Sequence, residues 1–137
     1  MPPLLIVLIL FALVFDFLNG VHDSSNVVAT MISSRAIAPR VALAITAVAN
    51  FIGPFIFGVA VATTIGHDIV SAEHINLVVL FAACFSAIFW NVLTWVLGIP
   101  SSSSHALIGG LIGAVVMAAG FKVIIMEGVI KVLIALF

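Results

Sequence analysis

Charge is what this sequence has least of: four Lys or Arg and five Asp or Glu among 137 residues, 7% charged, where soluble domains carry about a quarter. A soluble globular domain is excluded. No basic run exists, so neither a nucleic-acid surface nor a polybasic patch for anionic lipids is available. Cys84 is the single cysteine, which rules out a disulfide framework and a thiolate metal site. It lies in an apolar run and reads as a small packing residue. The N-terminal stretch "MPPLLIVLILFALVFDFLNG" has no basic n-region and no small-residue cleavage site, so it is expected to stay in the mature chain.

What is present is apolar: 65% of the residues are hydrophobic, and the mean hydropathy is +1.48. With ~20 apolar residues needed per crossing, the chain holds about four spans or part-spans of an all-α, multi-pass membrane protein. Leu4 to Leu18 is the first run, slightly short and containing Asp16. "NGVHDSSN" interrupts it with turn-formers, so a second, shorter helix can begin near Ser24, where capping by Asp23 is the plain alternative to a functional role for that carboxylate. Val41 to Ile65 is long enough to cross, and Ile75 to Leu97 is the cleanest span, with Trp90 and Trp95 suited to an interfacial belt. Ala106 to Ala119 is too short to cross comfortably unless it starts inside the membrane. Phe121 to Phe137 ends without a cap or a polar tail, as if cut off. Arg35 and Arg40 put the intervening loop on the cytoplasmic side by the positive-inside rule.

Two polar interruptions carry the chemistry. In hydrocarbon a helix can break only where protein or a wet cavity satisfies the freed backbone groups. "GIPSSSSHALIGG" combines Pro100, which stops a helix, with serines that start one. A helix beginning there offers free N–H groups, hydroxyls and the positive end of its dipole to an anion without any fixed cation. Simple capping is the alternative. In "NGVHDSSNVVAT", a carboxylate at membrane depth costs roughly 2.5 to 3.5 kcal/mol, so Asp23, with Asn26 one turn on, is a candidate to hold a mobile cation, Na⁺ or a proton. Asp16 competes for that role. His22 is a proton carrier, a metal ligand or a satisfied hydrogen bonder; His105 donates to an anion or to a carbonyl. His67 and His74 fall in a polar loop. Asn50 and Asn91 serve interhelical hydrogen bonds or line a cavity. Gly109, Gly113 and Ala114 suit close helix packing.

Together, "GVHDSSNV" from Gly20 and "PSSSSH" from Pro100 resemble the two signatures of the inorganic phosphate transporter (PiT) family, "GANDxANA" and "PxSTTH". A bacterial branch with "NGFHD-x-AN" and "PxSSSH" is more similar still, and the likeness continues through "RAIAPRVALAITAVANFIGPFIFGVAVATTIG". The resemblance implies secondary active symport of inorganic phosphate with protons or Na⁺, as free phosphate or as a metal-phosphate complex, in a bacterial inner membrane. Asp23 and Asn26 match the family's acid and amide, and Ser102, Ser103 and Ser104 match its Ser-Thr-Thr before His105. Asn50 falls where some members have an acid. His22 stands where Na⁺-coupled members have asparagine and Ser25 where they have alanine, which shifts the expectation toward protons or metal-phosphate.

The candidate phosphate-binding residues are therefore Ser102, Ser103, Ser104 and Asn26. Asp23, His22 and Asn50 are the candidates for cation or proton coupling, with His105, Asp16 and Asn91 as accessory residues. No resident metal or cofactor is expected; the ions are the coupling cation and any divalent metal carried with phosphate. Family members have two related halves of opposite orientation, so residues 1–137 are expected to be a single transmembrane domain, one half of an inverted repeat with discontinuous or re-entrant helices. A missing C-terminal half, a second copy or a partner subunit would complete it. Two rival readings remain: an intramembrane serine hydrolase using His105 or His22 as base, and a non-transporting packing or channel subunit.

Overall fold

The computed structural model describes residues 3–57 and 68–136. The end of the predicted second span, to Ile65, and His67 lie outside the described residues. The described residues form five α-helices: α1 (Pro3–Ser33), α2 (Pro39–Phe57), α3 (Leu77–Leu97), α4 (Ser103–Ala119) and α5 (Met126–Leu136). The described residues contain no strand, only an isolated bridge between Val70 and Ile124. Among the described residues three helices, α1, α2 and α3, are long and apolar enough to cross a membrane. Their outer faces expose large apolar side chains such as Phe17, Phe51, Phe55 and Val96, as a lipid-facing surface requires.

The expected break in the first helix does not occur. α1 runs unbroken through "NGVHDSSN" for 31 residues, roughly 46 Å at 1.5 Å per residue. Asp23 is therefore not an N-cap. The segment lacks proline, and each of its poor helix formers costs at most ~1 kcal/mol against alanine, less than unpaired backbone would cost in lipid. The Ser24 and Ser25 hydroxyls turn back onto the carbonyls of Val21 (3.1 Å) and His22 (2.6 Å), which removes their competition with the helical ladder.

The second break is real. α3 is opened by Asn76, whose side chain accepts from the Val79 N–H at 2.9 Å, and closed by Gly98 at φ 65°, a left-handed conformation that glycine adopts without strain. Pro100 prevents a restart. Ser102 then caps α4, which starts at Ser103, three residues before the apolar run alone would place it.

α4 folds back antiparallel on α3, and α3 lies beside α1 and parallel to it, as Phe11 meeting Phe81 edge-on at 5.4 Å and His22 sharing a cavity with Asn91 both show. The close α3–α4 approach rests on Gly110, where a Cβ would come within 2.7 Å of the Ala83 carbonyl oxygen. The expected packing glycines, Gly109 and Gly113, have nothing within 4 Å of that position; they open onto an outer groove instead. At the far end of this pair, Val79, Ala83, Leu111 and Val115 enclose Ile69 and Val70, both fully buried. The 68–71 segment is fastened to α5 by the Ile125 N–H donating to the Ile69 carbonyl at 2.9 Å and by Gly128 against the Asp68 carbonyl. In the C-terminal run a 3₁₀ turn at Phe121–Val123 precedes α5. On α5, Glu127 and Lys131 form an exposed pair at 2.9 Å, and the Lys131 hydrogen bond holds the Glu127 carboxyl below its ordinary range. Such surface pairs add little stability.

Candidate functional site

The site lies where the α3–α4 break meets the polar stretch of α1. Ser103 is 4% exposed, and its hydroxyl donates to Asp23 Oδ2 at 3.2 Å. This joins the two polar motifs across 80 positions of sequence. Asp23 is five residues past the middle of α1, an offset of about 7.5 Å, so the break opens against the interior of a spanning helix rather than its end.

The three candidate serines take different positions. Ser102 caps α4, its oxygen accepting from the His105 N–H at 3.4 Å. Ser103 points inward to Asp23, and Ser104 is exposed. Because a helix leaves its first N–H groups outside its own ladder, the amides of Ser103 and Ser104 are free of intrahelical bonds beside the inward hydroxyl.

Thr94 was not singled out by the sequence, yet it shapes the break. It is 2% exposed; its hydroxyl lies 2.9 Å from the Trp90 carbonyl oxygen, 3.2 Å from that of Asn91 and 3.2 Å from Ser101 Oγ. It ties the first serine of the loop to the last turn of α3. The available signal was its position three residues after Asn91, a second polar residue on the same face of an apolar helix.

Beside the break, His22, Ser25 and Asn26 of α1 face Thr94, Gly98 and Pro100 across an open recess of about 210 Å³. Asn26 thus borders the break. His22 is buried at 6% exposure and borders this recess as well as a cavity shared with Asn91. His105 faces the other way, lining the outer groove with Trp90 and Gly109. Asp16 is exposed, seven residues before Asp23, about 10 Å along the helix. Asn50 is exposed on α2, which packs on α1; neither Asp16 nor Asn50 lines the recess, and Asp23, Ser102, Ser103 and Ser104 lie outside its lining as well. No cluster of three metal-ligating side chains occurs among the described residues.

A helix that restarts within a membrane protein and faces a carboxylate of a spanning helix is a construction that secondary transporters use. The chain belongs to the phosphate transporter family, which its residues 19–137 match. It is 51% identical over 128 residues to a Mycobacterium bovis protein named "Probable low-affinity inorganic phosphate transporter", covering 93% of this chain and 30% of the relative. A Rhizobium meliloti protein of the same name is 50% identical over 129 residues, 94% of this chain and 39% of that one. The low-affinity inorganic phosphate transporter PitA of Escherichia coli is 40% identical over 116 residues, 80% of this chain and 23% of its own. The chain therefore spans about a third of the length of these relatives. No solved structure matches it significantly. A family of transporters leaves no place for the serine-hydrolase reading.

Proposed function

We propose that this chain contributes a cation-coupled phosphate half-site to a symporter of inorganic phosphate, working with protons or Na⁺ in a bacterial inner membrane. The observation that carries the reading is the Ser103 to Asp23 hydrogen bond. With Asp23 ionised, its carboxylate engages the Ser103 hydroxyl and its charge opposes a nearby anion. At a separation of ~5 Å and an effective dielectric of ~20, one pair of like charges repels by about 3 kcal/mol, more than a hundredfold in affinity. A proton or Na⁺ on Asp23 removes that repulsion and frees Ser103 to donate to phosphate. Substrate and cation then bind together or not at all.

Phosphate would lie at the start of α4, bonded by Ser103, the Ser103 and Ser104 amides and the hydroxyls of Ser102 and Ser104, with Asn26 in the recess beside the break. Hydroxyls and amides hold an anion without a fixed cation, which favours release. His22 and Asn50 are further candidates for coupling, and His105, Asp16 and Asn91 for accessory roles. A divalent metal carried with phosphate would act as part of the substrate. A C-terminal half, a second copy or a partner subunit would supply the rest of the site, and rocking of one half against the other would expose it to each side alternately.

The test is radiolabelled phosphate uptake into proteoliposomes under proton and sodium gradients applied separately, together with phosphate-dependent thermal stabilisation of the purified chain. The expected result is stabilisation by phosphate that requires the coupling cation, with gradient-driven uptake where the site is complete. Correctly inserted protein that shows neither would overturn the reading and favour a packing or channel subunit.

A further inference from the structure

Five polar side chains of α1, Asp16, Asn19, Asp23, Asn26 and Thr30, recur at spacings of 3, 4, 3 and 4 residues. At about 100° per residue they fall within an arc of roughly 80°, a single stripe about 21 Å long. The opposite face of the helix exposes Leu10, Phe17 and Val21, as contact with lipid requires. Asp16, Asn26 and Thr30 are exposed as well, and among the described residues none hydrogen-bonds or ion-pairs with their side chains. Within the stripe, the part-buried Asp23 is met from one side by the Ser103 hydroxyl.

We propose that this stripe is the docking face for a further membrane-spanning helix, one that carries small hydroxyl or amide donors along its facing side and a Lys or Arg level with Asp16. Alternation of 3 and 4 residues keeps a set of side chains on one seam, the geometry of left-handed helix packing, which most membrane bundles use. Polar side chains at such a seam join membrane helices by hydrogen bonds. Asp16 lies two residues from the middle of α1, and ionisable groups at that depth face a bundle interior and pair with one another.

The chemistry of the occupant follows from the stripe. It holds two carboxylates and no cation, so the complementary charge has to come from outside α1. The position that is already covered takes a hydroxyl donor from a small side chain, Ser103. The α1 helix of a second copy would set carboxylate against carboxylate, which disfavours the charged forms of both, so the partner is a different helix. Docked there, it would cover the side of Asp23 that Ser103 leaves open. The inference rests on α1 crossing the membrane and not on phosphate being the substrate.

The test uses the full chain in lipid vesicles, with its tryptophans, Trp90 and Trp95, as fluorescence donors and dansyl-labelled synthetic spanning peptides as acceptors. Three leucine-based peptides of equal length are compared: one with serines at alternating 3 and 4 spacing and a central lysine, one with aspartate in place of that lysine, and one of leucine alone. The lysine peptide is expected to half-quench the tryptophans at a peptide-to-lipid ratio at least tenfold lower than either of the others. Asp16→Asn and Thr30→Val, both at exposed positions, should each reduce that advantage at least threefold. Equal quenching by the lysine and all-leucine peptides would leave the face to lipid and overturn the proposal without recourse to any variant. Equal quenching by the lysine and aspartate peptides would overturn the charge complementarity. An advantage that survives both substitutions puts the peptide on another face and overturns the proposal too. Energy transfer between differently labelled copies of the chain, lost in Asp16→Asn, would assign the face to a second copy instead.

Discussion

Ser103 and Asp23 stand 80 residues apart in sequence and 3.2 Å apart in the fold, the serine hydroxyl donating to the carboxylate. One residue belongs to a helix that starts within the molecule, the other to a helix that spans it. In the proposed function, phosphate and the Asp23 carboxylate compete for this one hydroxyl, and the first two predictions follow from that competition.

Asp23→Asn keeps an acceptor for Ser103 but removes the charge. Insertion and folding are expected to be normal, while stimulation of phosphate uptake by a proton or sodium gradient falls by at least tenfold. Uptake in proteoliposomes with and without a gradient checks this, and full gradient stimulation in the variant would remove Asp23 from coupling.

Ser103→Ala and Ser104→Ala should differ. The buried, inward Ser103 makes a bond of the charged kind, worth about 1.5 to 3 kcal/mol, so its loss should raise the half-saturating phosphate concentration by about tenfold or more. Ser104 is exposed, and its replacement leaves the backbone amide in place; a shift of a few-fold is expected. Uptake measured against phosphate concentration distinguishes the two, and equal shifts would contradict the orientation described.

Thr94→Val is nearly isosteric but unties Ser101 from the last turn of α3. Removing one buried hydroxyl and stranding its partner should cost about 1 to 2 kcal/mol, seen as a lower Tm in detergent. Loosening of the break should also raise the half-saturating phosphate concentration although Thr94 itself need not touch the ion. Thr94→Ser, which keeps the hydroxyl, should restore most of both.

Gly110→Ala and Gly109→Ala test the helix contact. At Gly110 the added methyl meets the Ala83 carbonyl at 2.7 Å, and overpacking of this sort costs about 1 to 3 kcal/mol. At Gly109 nothing lies within 4 Å, so alanine should stabilise the helix by up to ~1 kcal/mol. Thermal unfolding of the two variants should therefore shift in opposite directions.

The membrane character, the membrane-length runs and the break at Pro100 were all legible in the chain because they depend on local properties: apolar length, the missing N–H of proline and serines that cap a new helix. The break predicted at "NGVHDSSN" was misjudged for a related reason. Turn-forming residues count as breakers in water, where the backbone has an alternative partner, but in α1 the serine hydroxyls fold back on Val21 and His22 and the helix continues. The packing glycines were misassigned by one position: Gly109, Gly110 and Gly113 have the same composition, and only the rotation of α4 against α3 decides which of them faces a neighbour.

By itself the sequence determined that this is an apolar, helical, membrane-embedded chain with two polar motifs, since hydropathy and residue type are properties of each segment alone. The tertiary structure alone decided that Asp23 meets Ser103 and not Ser102 or Ser104, that Thr94 secures the break, and that Asn91 and His22 border the same cavity. The physical reason is rotational: successive helical residues point about 100° apart, so a motif of four serines addresses several directions. Only the docking of α1 against α3 and α4 selects the one that faces the carboxylate.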